Sequence, residues 1–229
     1  MAMQLDKVIP FGRSLDEYKH MFALSPEDID SKILSVADGP ASVNAEMFQL
    51  GKNYFSVDPL YRFSAEEIEQ QFHRVAADVF RQVEQSSADW VWTFHRDLEA
   101  LQQTRIRVMK TFVSDLPLGI KTGRYRAGEL PQLDFADRTF DLILCSHFLF
   151  LYSAHFSYEF HRDSIIEMLR VADEVRIFPL LTLNLEVSPY LAALLEEFRD
   201  SPWKIMVEKV PYELQKGGNQ MLKIGKLAG

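Results

Sequence analysis

Residues 33–46 read ILSVADGPASVNAE, and this stretch decides the fold. Its apolar start predicts a buried strand, Asp-Gly-Pro at 38–40 predicts a tight turn, and the remainder predicts the opening of a helix. Many α/β proteins hold a nucleotide-like cofactor at such a turn. The G-x-G-x-x-G fingerprint is absent, so the surrounding sequence has to indicate what the turn binds.

Strand and helix patterns alternate along the rest of the chain, which predicts an α/β fold with a mostly parallel, seven-stranded sheet. The strands are expected at ILSVA (33–37), YFSVD (54–58), RYRAGEL (124–130), FDLILCSH (140–147), EVRIFPL (174–180), KIMVEKV (204–210) and QMLKIGK (220–226). Only PYELQKGGN separates the last two, and this short connection favours a C-terminal antiparallel hairpin.

Two further helical regions are expected outside this alternation. Helices are predicted within residues 1–32, because SLDEYKHMF (14–22) and SPEDIDSKI (25–33) both open with a capping serine. The crossover between the second and third strands is roughly twice the length of a usual βαβ unit. Because residues 87–115 have a helical pattern, we predict a helical insertion at about 86–120.

Composition limits the class of protein. A chain of 229 residues that is 47% hydrophobic can bury one sizeable core, so residues 1–229 are predicted to form a single domain. The net charge of −8 disfavours nucleic acid as a partner. Cys145 has no second cysteine to pair with, which fits a reducing compartment. No signal peptide or membrane-spanning run is found, so we expect a cytoplasmic protein without membrane contact.

The pattern over residues 33–226, apart from the insertion, resembles the class I S-adenosylmethionine-dependent methyltransferases. In the family's strand-acid-turn consensus, Gly39 falls on the middle glycine, whereas Ala37 and Ala41 fall on the outer glycines. Ser35 falls where the family usually has an acid. The resemblance therefore implies a Rossmann-like methyltransferase fold that binds S-adenosylmethionine, in an uncharacterised branch with a modified cofactor loop.

The resemblance also implies a cofactor pocket around this turn. Asp38 beside Gly39 is expected to form part of the pocket. Asp58 ends the second strand, followed by Pro59, where the family has an acid whose carboxylate accepts both ribose hydroxyls. The alternative is that Asp58 caps the following turn, because Asp-Pro favours turn initiation.

A third similarity lies in AGELPQLDFADRTFDLILCSH, residues 127–147. Glu129 takes the position of the acid that contacts the adenine amino group in the family, and Leu130 beside it is a candidate wall of the adenine pocket. The alternative for Glu129 is a solvated loop carboxylate.

Three residues outside these motifs complete the candidate site. Ser146 and His147 follow the fourth strand at the end of the sheet where α/β folds bind ligands, and His147 is the candidate catalytic residue. The alternative is that His147 only shapes the site. Arg13 precedes the first strand, where the resemblance suggests a contact with the methionyl carboxylate; a solvated arginine is the alternative.

The sequence therefore predicts a methyltransferase with a small-molecule acceptor, whose acceptor site includes the 86–120 insertion. Aromatic residues cluster there at Trp90, Trp92 and Phe94. The histidines and acids of residues 155–163 lack the spacing of metal ligands, so no metal is predicted. Two alternatives stay open: a nucleotide-dependent dehydrogenase, and a catalytically degenerate module of the same fold that binds the cofactor or a protein partner.

Overall fold

A computed structural model describes residues 11–226 of the protein. Its sheet has seven strands: β1 (Ile33–Val36), β2 (Tyr54–Val57), β3 (Tyr125–Arg126), β4 (Phe140–Ser146), β5 (Ala172–Phe178), β6 (Trp203–Lys209) and β7 (Gln220–Lys226). Their order is β3-β2-β1-β4-β5-β7-β6, and only β7 runs antiparallel to its neighbours. This is the predicted Rossmann-like methyltransferase fold with its C-terminal hairpin.

Seven α-helices accompany the sheet in the described part of the chain: α1 (Leu15–Met21), α2 (Pro26–Asp30), α3 (Val43–Gln49), α4 (Ala65–Gln85), α5 (Leu98–Lys121), α6 (Tyr158–Val171) and α7 (Leu191–Glu197). Ser14, Ser25 and Ser64 each accept a hydrogen bond from the backbone three residues later, so the caps predicted at Ser14 and Ser25 are confirmed. The predicted N-terminal region 1–32 begins outside the described residues.

The sheet is covered on both faces, which explains the nearly continuous apolar sequence of its central strands. One face packs against α6 and α7, and the other packs against α1, α3 and the start of α5. β1 lies between β2 and β4 and runs parallel to both. The strand order reverses at β1, because β2 and β3 lie on one side of it and β4 and β5 lie on the other. A ligand crevice is therefore expected at the carboxyl ends of these strands.

The crossover from β2 to β3 differs in part from the helical pattern predicted over 87–115. α4 and α5 pack against each other, but residues 90–97 between them are not helical. The Val91 N–H donates to the Leu214 carbonyl (2.8 Å), which ties this segment to the β6–β7 loop. Asp97 then accepts from the Ala100 N–H (2.7 Å) and starts α5. A tertiary contact and a capping acid therefore override the local helical pattern.

The third strand is also shorter than the predicted RYRAGEL segment. Only Tyr125 and Arg126 pair with β2, at Ser56 and Val57. Gly128 follows within the cavity wall, where an added Cβ would lie 2.9 Å from the Val57 side chain. No helix among residues 11–226 is long and apolar enough to cross a membrane.

Candidate functional site

A cavity of about 740 Å³ opens at the carboxyl ends of β1, β2, β4 and β5. This volume is typical of small-molecule sites. Its walls include every residue predicted for the site: Arg13, Ala37, Asp38, Gly39, Asp58, Pro59, Glu129, Leu130, Ser146 and His147. Residues that are far apart in the sequence therefore meet in one space, while the role of each stays a prediction.

The turn after β1 is held in a conformation that leaves it open to the cavity. Ala37 and Gly39 have positive φ angles of 53° and 56°. A Cβ added to Gly39 would meet no atom of residues 11–226 within 4 Å, so the backbone borders open space in the described structure. The Gly39 N–H donates to Asp58 Oδ2 (2.8 Å), and the Tyr61 hydroxyl donates to the Gly39 carbonyl (2.8 Å). The residues after β2 thus fix the turn after β1.

Asp38, in the turn after β1, is a buried carboxylate at the cavity wall. It is 6% exposed and accepts hydrogen bonds from Ser35 Oγ (2.6 Å), from Ser56 Oγ (2.7 Å) and from the Tyr18 hydroxyl. Burial raises the pKa of Asp38, and these three donors oppose the shift. Asp38 therefore links the turn after β1 to the buried serines Ser35 of β1 and Ser56 of β2.

The role of Ser56 was missed in the sequence, although a signal for it existed. Ser35 and Ser56 occupy the same position in two similar short apolar strands, ILSV and YFSV, and they lie in register. A buried serine in a parallel strand needs a hydrogen-bond partner. Asn44 of α3 continues this polar group, because its Nδ2 donates to Ser56 Oγ (3.0 Å).

Asp58 caps a turn and also lines the cavity, so its two interpretations are compatible. Its Oδ1 accepts from the Leu60 N–H (2.7 Å) at the start of a short 3₁₀ helix, and its Oδ2 accepts from Gly39. Burial raises the pKa of Asp58 to about 6, against the effect of these two backbone donors. The proposed ribose contact stays a prediction.

Glu129 and Leu130 form a polar rim and an apolar wall. Glu129 is exposed, whereas Leu130 is 7% exposed and belongs to the core on the α6 side of the sheet. Both border the cavity. The exposure of Glu129 is compatible with a solvated carboxylate as well as with the predicted adenine contact.

His147 lies where β4 ends, in a constrained conformation. Its φ is 52°, its N–H donates to the Phe178 carbonyl (2.6 Å), and its Nδ1 lies 2.9 Å from Ser146 Oγ. Burial, together with the charges of Arg13 and Arg105, holds the pKa of His147 well below its usual range. The imidazole is therefore neutral at neutral pH.

Cys145 is excluded as a nucleophile by its surroundings. It is fully buried in β4, and burial raises the pKa of its thiol to about 12. The thiolate, which is the reactive form, is therefore scarce at neutral pH. Among residues 11–226, no three His, Cys, Asp or Glu side chains are grouped so that they could hold a metal ion.

A buried ionic cluster, which we call the Glu17 cluster, borders the cavity beside His147. It comprises Arg13, Glu17, His95, Arg105 and Tyr212. Arg105 donates two hydrogen bonds to the Glu17 carboxylate (2.7 and 2.8 Å), the Tyr212 hydroxyl donates a third (3.0 Å), and His95 Nε2 lies 3.1 Å from Glu17 Oε1. Burial alone would raise the pKa of Glu17, but Arg105, His95 and Arg13 hold it well below its usual range.

Arg13 is the least satisfied member of the Glu17 cluster. Its Nε lies 4.0 Å from Glu17 Oε1 and is a buried nitrogen without a hydrogen-bond partner among residues 11–226. Burial, and then the charge of Arg105, lowers its pKa. A buried guanidinium normally has its donors satisfied, so Arg13 keeps an unmet hydrogen-bonding requirement at the edge of the cavity.

The predicted aromatic cluster of the insertion divides between the cavity and the core. Trp90 lines the cavity and donates from Nε1 to Ser86 Oγ (2.9 Å). Trp92 and Phe94 pack on the core beneath α1 and the β6–β7 loop. Together with Trp90, Leu101 and Arg105 bring the crossover into the cavity wall.

Known proteins resemble this chain in sequence or in fold. No protein-family model matches the sequence. Over 97% of its length the chain is 34% identical to the uncharacterized protein MJ0045 of Methanocaldococcus jannaschii, and the match covers 98% of that protein.

Solved structures with a similar chain path include magnesium protoporphyrin IX methyltransferase from Synechocystis with bound SAM (12% identity, 93% of this chain, 78% of that chain, TM-score 0.49). Another is a SAM-dependent methyltransferase from Methanosarcina mazei (15% identity, 90% of this chain, 99% of that chain, TM-score 0.46). A third is a TehB-like SAM-dependent methyltransferase from Corynebacterium glutamicum (12% identity, 92% of this chain, 87% of that chain, TM-score 0.48). At these values the fold assignment rests on the sheet order. By sequence, the chain belongs to the same family as the M. jannaschii protein MJ0045.

Proposed function

We propose that the protein is an S-adenosylmethionine-dependent methyltransferase with a modified cofactor loop, acting on a small-molecule acceptor. One observation supports this most strongly: the turn after β1, Asp58 after β2, the Glu129 loop after β3 and His147 after β4 all border one cavity. The carboxyl ends of β1 and β4, where the strand order reverses, are the usual ligand position in this type of sheet.

The residues fit the cofactor at its ribose. Each carboxylate oxygen has about two acceptor positions, and each oxygen of Asp58 uses one of them for a backbone N–H. One position per oxygen is left for the two ribose hydroxyls. The open face of Gly39 allows the nucleoside to approach the backbone.

The adenine end of the cofactor has candidate partners as well. Leu130 and Pro59 supply apolar surface for the adenine, and Glu129 supplies an acceptor for its amino group. Arg13, which the resemblance links to the methionyl carboxylate, lies with Arg105 beside His147, and we leave it for the acceptor.

The bound cofactor would supply a methyl group on a cationic sulfonium, and the protein's main task is to position the acceptor for in-line transfer. His147 adds a proton acceptor. With its proton on Nδ1, the ring donates to Ser146 Oγ, and the lone pair of Nε2 is left for the acceptor's proton. Because the imidazole is neutral at neutral pH, it needs no prior deprotonation.

Calorimetric titration of the full chain with S-adenosylmethionine, its demethylated product and NAD tests this proposal. We expect the first two to bind and NAD not to bind. Asp58→Asn should weaken both complexes, whereas Glu66→Gln, which removes an exposed acid outside the cavity, should not. Binding of NAD in preference to S-adenosylmethionine would favour the dehydrogenase alternative.

The degenerate, non-catalytic alternative rests on Ala37 and Ala41, which replace glycines of the family consensus. It differs from the enzyme in turnover. An enzyme releases the demethylated product only when an acceptor is present, whereas a binding module returns the cofactor unconsumed from every metabolite pool tested.

A further inference from the structure

Charged residues are unevenly distributed around the cavity. The acids in its wall are Asp38, Asp58 and Glu129, which follow β1, β2 and β3. Arg62 accompanies them after β2, and the pKa of Asp58 responds to its charge. Arg13 and Arg105 lie on the other side, where both affect the pKa of His147. We call the part of the cavity that follows β1, β2 and β3 the cofactor half; the acids lie there, and none of the described residues that line the half beside His147 is an acid.

The carboxylate that balances these arginines does not reach the cavity. Glu17 is fully buried and is not part of the cavity wall. Both of its oxygens are occupied by Arg105, and Tyr212 and His95 add further contacts. Two arginines against one glutamate leave one net positive charge, and both arginines line the cavity whereas the glutamate does not.

Apolar side chains also line this half of the cavity. Its wall contains Trp90, Leu101, Phe178, Leu183 and Leu214. These side chains come from the crossover, from the end of β5 and from the β6–β7 loop. They enclose the positive corner in a medium of low dielectric, where charges interact much more strongly than in water.

We propose that the acceptor is a small organic acid, with an apolar body against these side chains and its anionic group at the Arg13–Arg105 corner. The assignment as acceptor, rather than as another ligand, rests on the proposed function. S-adenosylmethionine carries a sulfonium and an ammonium against one carboxylate, so its binding adds positive charge. A cationic amine acceptor is repelled by the arginines and by the sulfonium, whereas an acid neutralises them.

Matched probes that differ only in charge test this. We would titrate the full chain calorimetrically with 4-hydroxybenzoate, 4-hydroxybenzamide and 4-hydroxybenzylamine, and with hexanoate, hexanamide and hexylamine. Each probe is measured with and without the demethylated cofactor. In at least one series we expect the acid to bind at least tenfold more tightly than the amide, and the amine to bind more weakly than both. Equal or tighter binding of amide or amine, or no acid binding at millimolar concentration, would overturn the proposal.

Trp90 locates the binding site of the acid. Because this indole lines the cavity, the acid should change the protein's fluorescence, and the change should disappear in Trp90→Phe while the calorimetric preference for acid persists. A change that persists in Trp90→Phe places the site elsewhere and contradicts the proposal. If the cofactor fails to bind but the acid preference holds, the proposed methyltransferase function fails and the anion site stands.

Discussion

The pKa of Asp58 makes the sharpest prediction about the site, because it links pH to both stability and binding. This pKa is about 6 in the folded protein, against about 3.9 for an unperturbed aspartate. The native state therefore holds the proton more tightly than the unfolded state. The resulting stabilisation is present at low pH and is lost as the pH rises through the folded pKa. From pH 5 to pH 7, the free energy of unfolding should fall by about 1.3 kcal/mol on account of Asp58.

The variant Asp58→Asn isolates this effect, because the amide does not titrate. Its carbonyl oxygen keeps one of the two backbone donors, Gly39 or Leu60, and the other N–H is left facing an NH₂ group at a cost of about 1–3 kcal/mol. Urea unfolding at pH 5, 6 and 7 should show the wild type losing about 1.3 kcal/mol relative to the variant over this range. Glu66→Gln, the exposed control, should follow the wild type.

Cofactor binding should follow the same titration in the opposite direction. If the ionised carboxylate accepts the ribose hydroxyls, wild-type affinity should rise about tenfold from pH 5 to pH 7, and Asp58→Asn should show no such rise. At pH 7 the variant should bind about 1.5–3 kcal/mol more weakly. Parallel stability curves for wild type and Asp58→Asn would refute the burial argument. A normal stability difference with pH-independent binding would remove only the ribose contact.

Three further substitutions test other parts of the site. Gly39→Ala should lower the free energy of unfolding by about 1–2 kcal/mol, because residue 39 has a positive φ, and it should weaken cofactor binding in calorimetry. The control is Gly51→Ala, since Gly51 has a φ of 70° and similarly open space but lies outside the cavity. Gly51→Ala should lower stability without affecting binding. Glu129→Gln should reduce cofactor affinity less than Asp58→Asn, by under about tenfold, because one acceptor oxygen is kept; tighter binding contradicts the adenine contact. Glu17→Ala should lower the free energy of unfolding by about 3–5 kcal/mol in urea titration, since it leaves a buried guanidinium unpaired; unchanged stability would show that the cluster is not needed for folding.

The sequence predicted the parts of the molecule that are local in the chain. Apolar strands with helices between them specify the sheet, and the short connection before β7 specifies the hairpin. The turn residues Gly39 and Asp58 could be found because each directly follows a strand, and the carboxyl ends of parallel strands meet. The sequence could not distinguish an Asp58 that caps the following turn from an Asp58 that lines the cavity, because the same carboxylate does both.

The Glu17 cluster was beyond prediction from one sequence, because its members come from distant segments. Helix α5 did carry a signal: Leu101, Arg105 and Met109 are spaced by four residues, which places an arginine on an apolar, buried face. A buried arginine requires an anionic partner, but nothing in the sequence identifies Glu17 as that partner. The non-helical segment 90–97 was missed for the same reason, since its hydrogen bond is to Leu214.

Because Glu17 contacts residues far along the chain, the Glu17 cluster can form during synthesis only after those residues have been made. Its partners His95, Arg105 and Tyr212 lie 78, 88 and 195 residues further along the chain. The strands and turns of the cofactor half are all present once β4 has emerged from the ribosome, whereas the positive wall waits for the loop before β7. A nascent chain therefore carries the elements of a nucleoside pocket well before the enclosed cavity exists, and Glu17 keeps an incomplete set of partners until the loop before β7 has been synthesised.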